Sequence, residues 1–237
     1  MSSSPDMSIV VPTLNEEEYL EEALTALRNQ FTPKEYEIIV SDGHSTDRTV
    51  EIAKKYADKV VFEKKRTISA GRQAGAKAAE GKVIVSAGAD VYVDSHWLDT
   101  LTRPLLDKTH AASMGPVLPR DGNHIENIFS HGLLKPLGSA LSRLDAHFVA
   151  ADNMAIDAEV FHKAGGFNPD LVTGEDTDLI RRVKSHGKVV YLPDAHSYVS
   201  MRRVREWGYW KYLSFHTTNF FKYHVKGEAH KEYEPVR

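Results

Sequence analysis

The sequence predicts an α/β fold, a three-layer α/β/α sandwich around a mixed and mostly parallel sheet. Three observations carry that expectation. The chain has 237 residues, 41% hydrophobic and 27% charged, enough for one large core. From residue 8 to residue 90, short runs rich in β-branched residues alternate with segments of helical periodicity. Several of these runs end in a polar turn that leads into a helix, the pattern of βαβ units.

Residues 8–12 form the first apolar run. Leu20, Ala23, Leu24 and Leu27 then recur at helical spacing within 16–30. Asn15 is placed to cap that helix, and Glu18 stands where a capping-box carboxylate belongs. Residues 36–42 read as a buried strand, 47–57 as a helix and 58–63 as a strand. An Ala-rich helix over 67–80 ends at Gly81, and a strand over 82–90 runs into an acidic loop. The second half is less regular. Residues 110–118 and 147–157 read as strands, and 124–144 as partly helical, interrupted by Pro136 and Gly138. A short helix over 158–166 ends at a Gly pair, a helix covers 175–187, and a strand covers 188–193. The expected organisation is one domain over 1–203 and a C-terminal extension over 204–237.

Composition excludes several classes. There is no cysteine, so disulfide and thiolate chemistry are absent. The net charge of −3 points away from nucleic acid, which is not an expected partner. The first residues, MSSSPD, carry no apolar h-region, and no stretch approaches about 18 uncharged apolar residues. The expected location is cytoplasmic.

Loops at the carboxyl edge of a parallel sheet are where open α/β folds bind ligands. Glu16, after the first strand, suits the hydroxyls and N–H groups of a nucleoside; Glu16 to Glu18 equally suit a helix N-terminus. Asp42 follows a buried strand and precedes Gly43, where it can accept a base N–H, whereas Ser45, Thr46 or Asp47 can cap the next helix. Neither G-x-G-x-x-G nor G-x-x-x-x-G-K-[ST] occurs where a phosphate loop would need it. Glu175, Asp176 and Asp178 crowd one helix start. The helix dipole accommodates one or two of them. Repulsion among three assigns at least one to a ligand. A positioned carboxylate can deprotonate an attacking hydroxyl, worth about 10² to 10⁴ in rate.

SIVVPTLNEEEYLEEAL, EIIVSDGHSTDRT, AGRQAGAKAAEGKVIVSAGAD, AGGFNPDL and GEDTDLIRRVKSHG occur in this order across roughly residues 8–203. Together they resemble the family 2 glycosyltransferases of GT-A fold. The resemblance implies transfer of a sugar from a UDP- or GDP-sugar to an acceptor hydroxyl, with inversion. It implies nucleotide contacts from Pro12, Thr13, Asn15, Glu16, Asp42, Arg72, Gly75, Ala89 and Asp90. It makes Asp176 the general base, with Glu175 orienting the acceptor or the helix. The family carries two aspartates, one residue apart, that bind a divalent cation. Here Gly88 stands at the first position and Asp90 remains, which leaves a weaker Mg²⁺ or Mn²⁺ site, metal-independent transfer or loss of catalysis open. His196 falls near a metal-binding histidine of some relatives. Arg202 and Arg203 resemble a pair that neutralises the leaving diphosphate, and alternatively form a solvated basic stretch.

The C-terminal segment interleaves Trp207, Tyr209, Trp210, Tyr212, Phe215, Phe220, Phe221 and Tyr223 with Arg205, Lys211, Lys222 and Lys226. Such a helix can pack on the domain, form an oligomer contact or make a peripheral contact with the cytoplasmic face of a membrane. The acceptor, whether lipid-linked, glycan or protein, stays open. Two alternatives remain: a nucleotide-sugar binder with a degenerate metal site, and a nucleotidyltransferase, which uses a Gly-rich phosphate loop that this chain lacks.

Overall fold

The computed structural model describes residues 4–143 and 149–226. The first half follows the βαβ plan. β1 (Met7–Thr13), α1 (Leu20–Arg28), β2 (Tyr36–Asp42), α2 (Thr49–Tyr56), β3 (Lys59–Phe62), α3 (Ile68–Lys77) and β4 (Val83–Ala87) succeed one another. The apolar stripe of α1 is buried on β1 and its neighbours, with Leu20, Leu24 and Leu27 fully enclosed. α3 approaches the sheet closely because it presents glycines. A Cβ on Gly71 would stand 3.1 Å from Pro12 Cβ, and one on Gly75 would lie closer than 3.0 Å to Val10 Cγ1.

β5 (Val91–Val93), α4 (Trp97–Leu106), β6 (Ala112–Met114), β7 (Val117–Pro119), α5 (His124–Phe129), α6 (Lys135–Arg143), β8 (Asn153–Asp157), α7 (Ala158–Lys163), α8 (Glu175–Val183), β9 (Val189–Tyr191), β10 (Ser197–Val199), α9 (Arg202–Trp207) and α10 (Tyr209–Lys226) complete the chain. The main sheet runs β3-β2-β1-β4-β8-β6-β9, and a smaller one runs β5-β10-β7. In the main sheet only β8 runs antiparallel to its neighbours, β4 and β6. The sheet is therefore mixed and mostly parallel.

Several local expectations are corrected. Asn15 does not cap α1. It adopts a left-handed backbone, φ 54°, and its Oδ1 accepts from Thr46 N–H at 2.8 Å. The helix starts only at Leu20, with no side-chain cap, and Glu18 is exposed outside any capping box. The strand expected over 110–118 breaks in two, because Gly115 and Pro116 bend the chain from the main sheet into the small one. No side chain fits at the bend, where Gly115 is pressed on Ala195 O. Pro136 does not interrupt the helical stretch. A π-helical turn over Ser130–Leu134 precedes it, as befits a residue with no N–H to donate to the regular ladder. Gly138 makes room for the Tyr191 ring. Residues 144–148 and 227–237, parts of the expected strand and of the expected extension, lie outside the described residues, as do the side chains of Phe220, Phe221, Tyr223 and Lys226.

Candidate active site

The loops after β1 and β2 are laced together. Asp42 is fully buried and accepts three hydrogen bonds, from Thr13 Oγ1 at 2.9 Å, Ser45 N–H at 2.8 Å and Ser45 Oγ at 2.6 Å. Asn15 N–H donates to Ser45 Oγ at 2.8 Å, and Glu16 N–H to Thr49 Oγ1 at 2.7 Å. Most of the lone pairs of Asp42 are thus used within the protein. Through these bonds Asp42 and Thr13 build the loop that carries Asn15 and Glu16.

Arg72 is also turned inward. Its side chain is 1% exposed. It donates to Ser86 Oγ, to Ala151 O at 2.7 Å and to Asp152 Oδ1 at 2.7 Å, and its Nε lies 3.6 Å from Glu175 Oε1. The guanidinium is a buried strut joining α3, the turn before β8 and the start of α8. Inside the α3–β1 packing Gly75 faces Val10 and Pro12 faces Gly71, and the Ala89 side chain points into the core.

Glu16, Asp90 and Arg202 meet directly. Arg202 Nη2 lies 2.7 Å from Glu16 Oε2 and 3.4 Å from Asp90 Oδ2, with its guanidinium 4.4 Å from the Tyr19 ring centroid. Burial, then the facing Asp152 carboxylate, hold the Asp90 carboxyl above the usual range, while the charges of Arg202 and Arg203 act the other way. Asp90, Asp152, Arg202 and Arg203 therefore share one charged opening at the carboxyl end of β4. Among the described residues no group of three or more His, Asp or Glu side chains could hold a metal alone. Asp90 with diphosphate oxygens and water is the kind of donor set Mg²⁺ uses.

His196 stands elsewhere. The antiparallel register Val93↔Ser197 and Val91↔Val199 carries His196 to the Asp94 end of the small sheet and Ser200 to the Asp90 end. His196 Nε2 lies 3.4 Å from Asp94 Oδ2, beside a cavity of about 810 Å³ that Glu22, His96 and Asp194 also line. The separation along the strands from the Asp90 end is about 13 Å at roughly 3.3 Å per residue.

Glu175 and Asp176 open α8. Gly174, at φ 72°, turns the chain into that helix. Burial, then the neighbouring Asp176 charge, push the Glu175 carboxyl up to about 7. Burial also raises Asp176, against hydrogen bonds from Thr177 N–H at 2.6 Å and Ala151 N–H at 3.3 Å. Those donors favour the ionised form of Asp176, so the pair can divide one proton between an acid and a base. Asp178 serves the fold, pairing with Arg182 one turn along.

The C-terminal helices cover this region. Thr173 Oγ1 donates to Asn219 Oδ1 at 3.0 Å beside the start of α8, and Val204 of α9 is buried. Tyr209, Trp210 and Leu213 of α10 are exposed. No helix among the described residues is long and apolar enough to cross a membrane.

The fold is the GT-A architecture. Residues 8–165 match the family described as Glycosyl transferase family 2, and the chain belongs to that family. A similar curated protein is a dolichyl N-acetyl-alpha-D-glucosaminyl phosphate 3-beta-D-2,3-diacetamido-2,3-dideoxy-beta-D-glucuronosyltransferase of Methanococcus voltae, 27% identical over 208 residues. That match covers 78% of this chain and 63% of the relative; the next three relatives are spanned over only 17% to 36% of their length. Among solved structures, the mannosyltransferase PcManGT from Pyrobaculum calidifontis, in complex with GDP-Man and Mn²⁺, superposes with a TM-score of 0.75 at 22% identity, covering 97% of this chain and 67% of that one. S. aureus TarS 1–349 in complex with UDP has a TM-score of 0.68 at 20% identity, covering 82% and 60%.

Proposed function

We propose that this chain transfers a sugar from a nucleoside diphosphate sugar to an acceptor hydroxyl, with inversion. The observation that carries the reading is the buried carboxyl pair at the start of α8, linked through Arg72 and Asp152 to the charged opening around Asp90. The loop of Thr13, Asn15 and Glu16 would seat the nucleoside, and Arg202 and Arg203 the diphosphate. Asp176 would take the proton of the acceptor hydroxyl as its oxygen bonds to the anomeric carbon. The bond from that carbon to the diphosphate oxygen breaks with its electron pair on the leaving group. Asp90 would hold Mg²⁺ or Mn²⁺, which when bound supplies positive charge to the leaving diphosphate. The rest of α9 and α10, from residue 204 onward, would close the acceptor side, which the Thr173–Asn219 hydrogen bond supports.

Calorimetric titration with UDP and GDP, each with Mn²⁺, with Mg²⁺ and with EDTA, tests the donor site and names the base. Asp176→Asn is expected to keep nucleotide affinity and to lose about 10² or more in turnover. Near-normal turnover in that variant would remove Asp176 as the base, and absence of binding by either nucleotide would remove the donor reading.

A further inference from the structure

The position of Gly88 leaves the cation site one carboxylate short in sequence, but the space is not vacant. β4 and β8 pair antiparallel, with Ser86↔Met154 and Ala87↔Asn153, so the next step of the register sets Gly88 across from Asp152. A Cβ built on Gly88 would stand 3.0 Å from Asp152 Oδ1 and 3.3 Å from Asp90 Oδ1. Both carboxylates therefore reach the volume that a side chain on residue 88 would fill. Gly88 is outside the left-handed region, so its backbone itself admits a side chain. What crowds one is Asp152.

Asp152 is held there by the structure around it. Arg72, buried and fixed by Ser86 and Ala151, donates to Asp152 Oδ1 at 2.7 Å. The Asp152 side chain is nevertheless 37% exposed, which leaves part of the carboxylate facing the opening. Ala151, its neighbour in the turn, donates its N–H to Asp176 Oδ2. One turn thus touches both the proposed cation site and the proposed base.

We propose that Asp152 supplies the second carboxylate of the diphosphate–cation site, taking the place of a side chain on residue 88. The proposal rests on the donor reading above and adds a ligand to it. Mg²⁺ and Mn²⁺ sites that bind a nucleoside diphosphate need only one or two carboxylates besides phosphate oxygens and water. Asp90 and Asp152 meet that requirement from two strands. The arrangement also sets residues 88 and 152 in competition for one volume. Carboxylates at both would crowd and repel, because a Cβ on residue 88 would stand 3.0 Å from Asp152 Oδ1.

The test is Mn²⁺ binding to the full chain, read from the free Mn²⁺ signal in electron paramagnetic resonance with UDP or GDP present, and with thermal melting as a check of the fold. Asp152→Asn keeps an oxygen for Arg72 and removes the charge; it should lower Mn²⁺ affinity at least about tenfold. Nucleotide affinity in EDTA should stay within about twofold of wild type. Gly88→Asp alone should also lower Mn²⁺ affinity, and Gly88→Asp combined with Asp152→Ala should restore it towards wild type. Wild-type Mn²⁺ affinity in Asp152→Asn overturns the proposal and leaves the donor reading standing. So does a folded double variant that binds Mn²⁺ no better than Asp152→Asn. Wild-type protein that binds the nucleotide but takes up no Mn²⁺ removes the cation site and Asp152 with it. Wild-type protein that binds neither removes the donor reading itself.

Discussion

Glu175 offers a prediction in which stability and function pull in opposite directions. Its side chain is buried at the start of α8, and its nearest cation, Arg72, is already engaged by Ser86, Ala151 and Asp152. Burial and the Asp176 charge raise the carboxyl from 4.5 to about 7. A raised carboxyl binds its proton more tightly in the folded chain. Its contribution to stability is fully present below about 4.5 and is lost as pH rises through about 7. The rise corresponds to about 3 kcal/mol at about 1.36 kcal/mol per pKa unit. Glutamine at this position carries no charge at either end of that window. Glu175→Gln should therefore be more stable than wild type by about 2–3 kcal/mol at pH 8, with the difference closing towards pH 4.5. Urea unfolding at several pH values, with the slope m held constant between the two proteins, measures this directly. A variant less stable than wild type at pH 8, or a difference that does not vary with pH, would refute the reasoning and show that Arg72 stabilises the ionised form. The same variant should lose turnover, because an amide can no longer share a proton with the proposed base Asp176.

Other consequences concern neighbouring groups. Because burial raises Asp176, the acid limb of kcat/KM should fall above the ordinary aspartate range, and a limb at or below 3.8 would count against Asp176 as an enclosed base. Gly75→Ala should destabilise the fold by about 1–3 kcal/mol through overpacking against Val10, read as a lowered urea midpoint; an unchanged midpoint would mean that α3 shifts freely. Arg202→Ala should weaken UDP or GDP binding about tenfold or more while leaving uridine or guanosine affinity unchanged, since the guanidinium would serve phosphate and not base. Equal losses for nucleoside and nucleotide would assign Arg202 to holding the Glu16 loop.

The fold was legible where burial is periodic. Residues 7–13, 36–42 and 83–87 are apolar at most positions and buried on both faces, as parallel strands covered by helices must be, and the spacing of Leu20, Leu24 and Leu27 belongs to one helix face. Legibility ended where elements are short or their partners distant. The three-residue strands β5, β7 and β10 have too little length for a period, and their sheet is set by pairing between residues 91–93, 117–119 and 197–199. Asn15 shows a different limit. Its residue type suits a cap, but the same amide also suits a left-handed turn, and the loop after β2 supplied the N–H donor that decided between them.

At the site, residue types were readable and their facing was not. Glu175 and Asp176 declared themselves because three acidic residues crowd one helix start, a local signal. Arg72 had a helical position and a charge, and nothing nearby in sequence marks Asp152, 80 residues away, as its partner. The gap at Gly88 was visible, yet its occupant could be found only through the antiparallel register of β4 and β8, since a parallel β8 would carry Asp152 to the far edge of the sheet. The one strand that runs against its neighbours is thus what would deliver a carboxylate to the proposed cation site. A residue that looks lost along the chain can be replaced from any segment whose end reaches the same volume. Here the argument for replacement is steric: two positions whose side chains compete for one volume can fill one role between them.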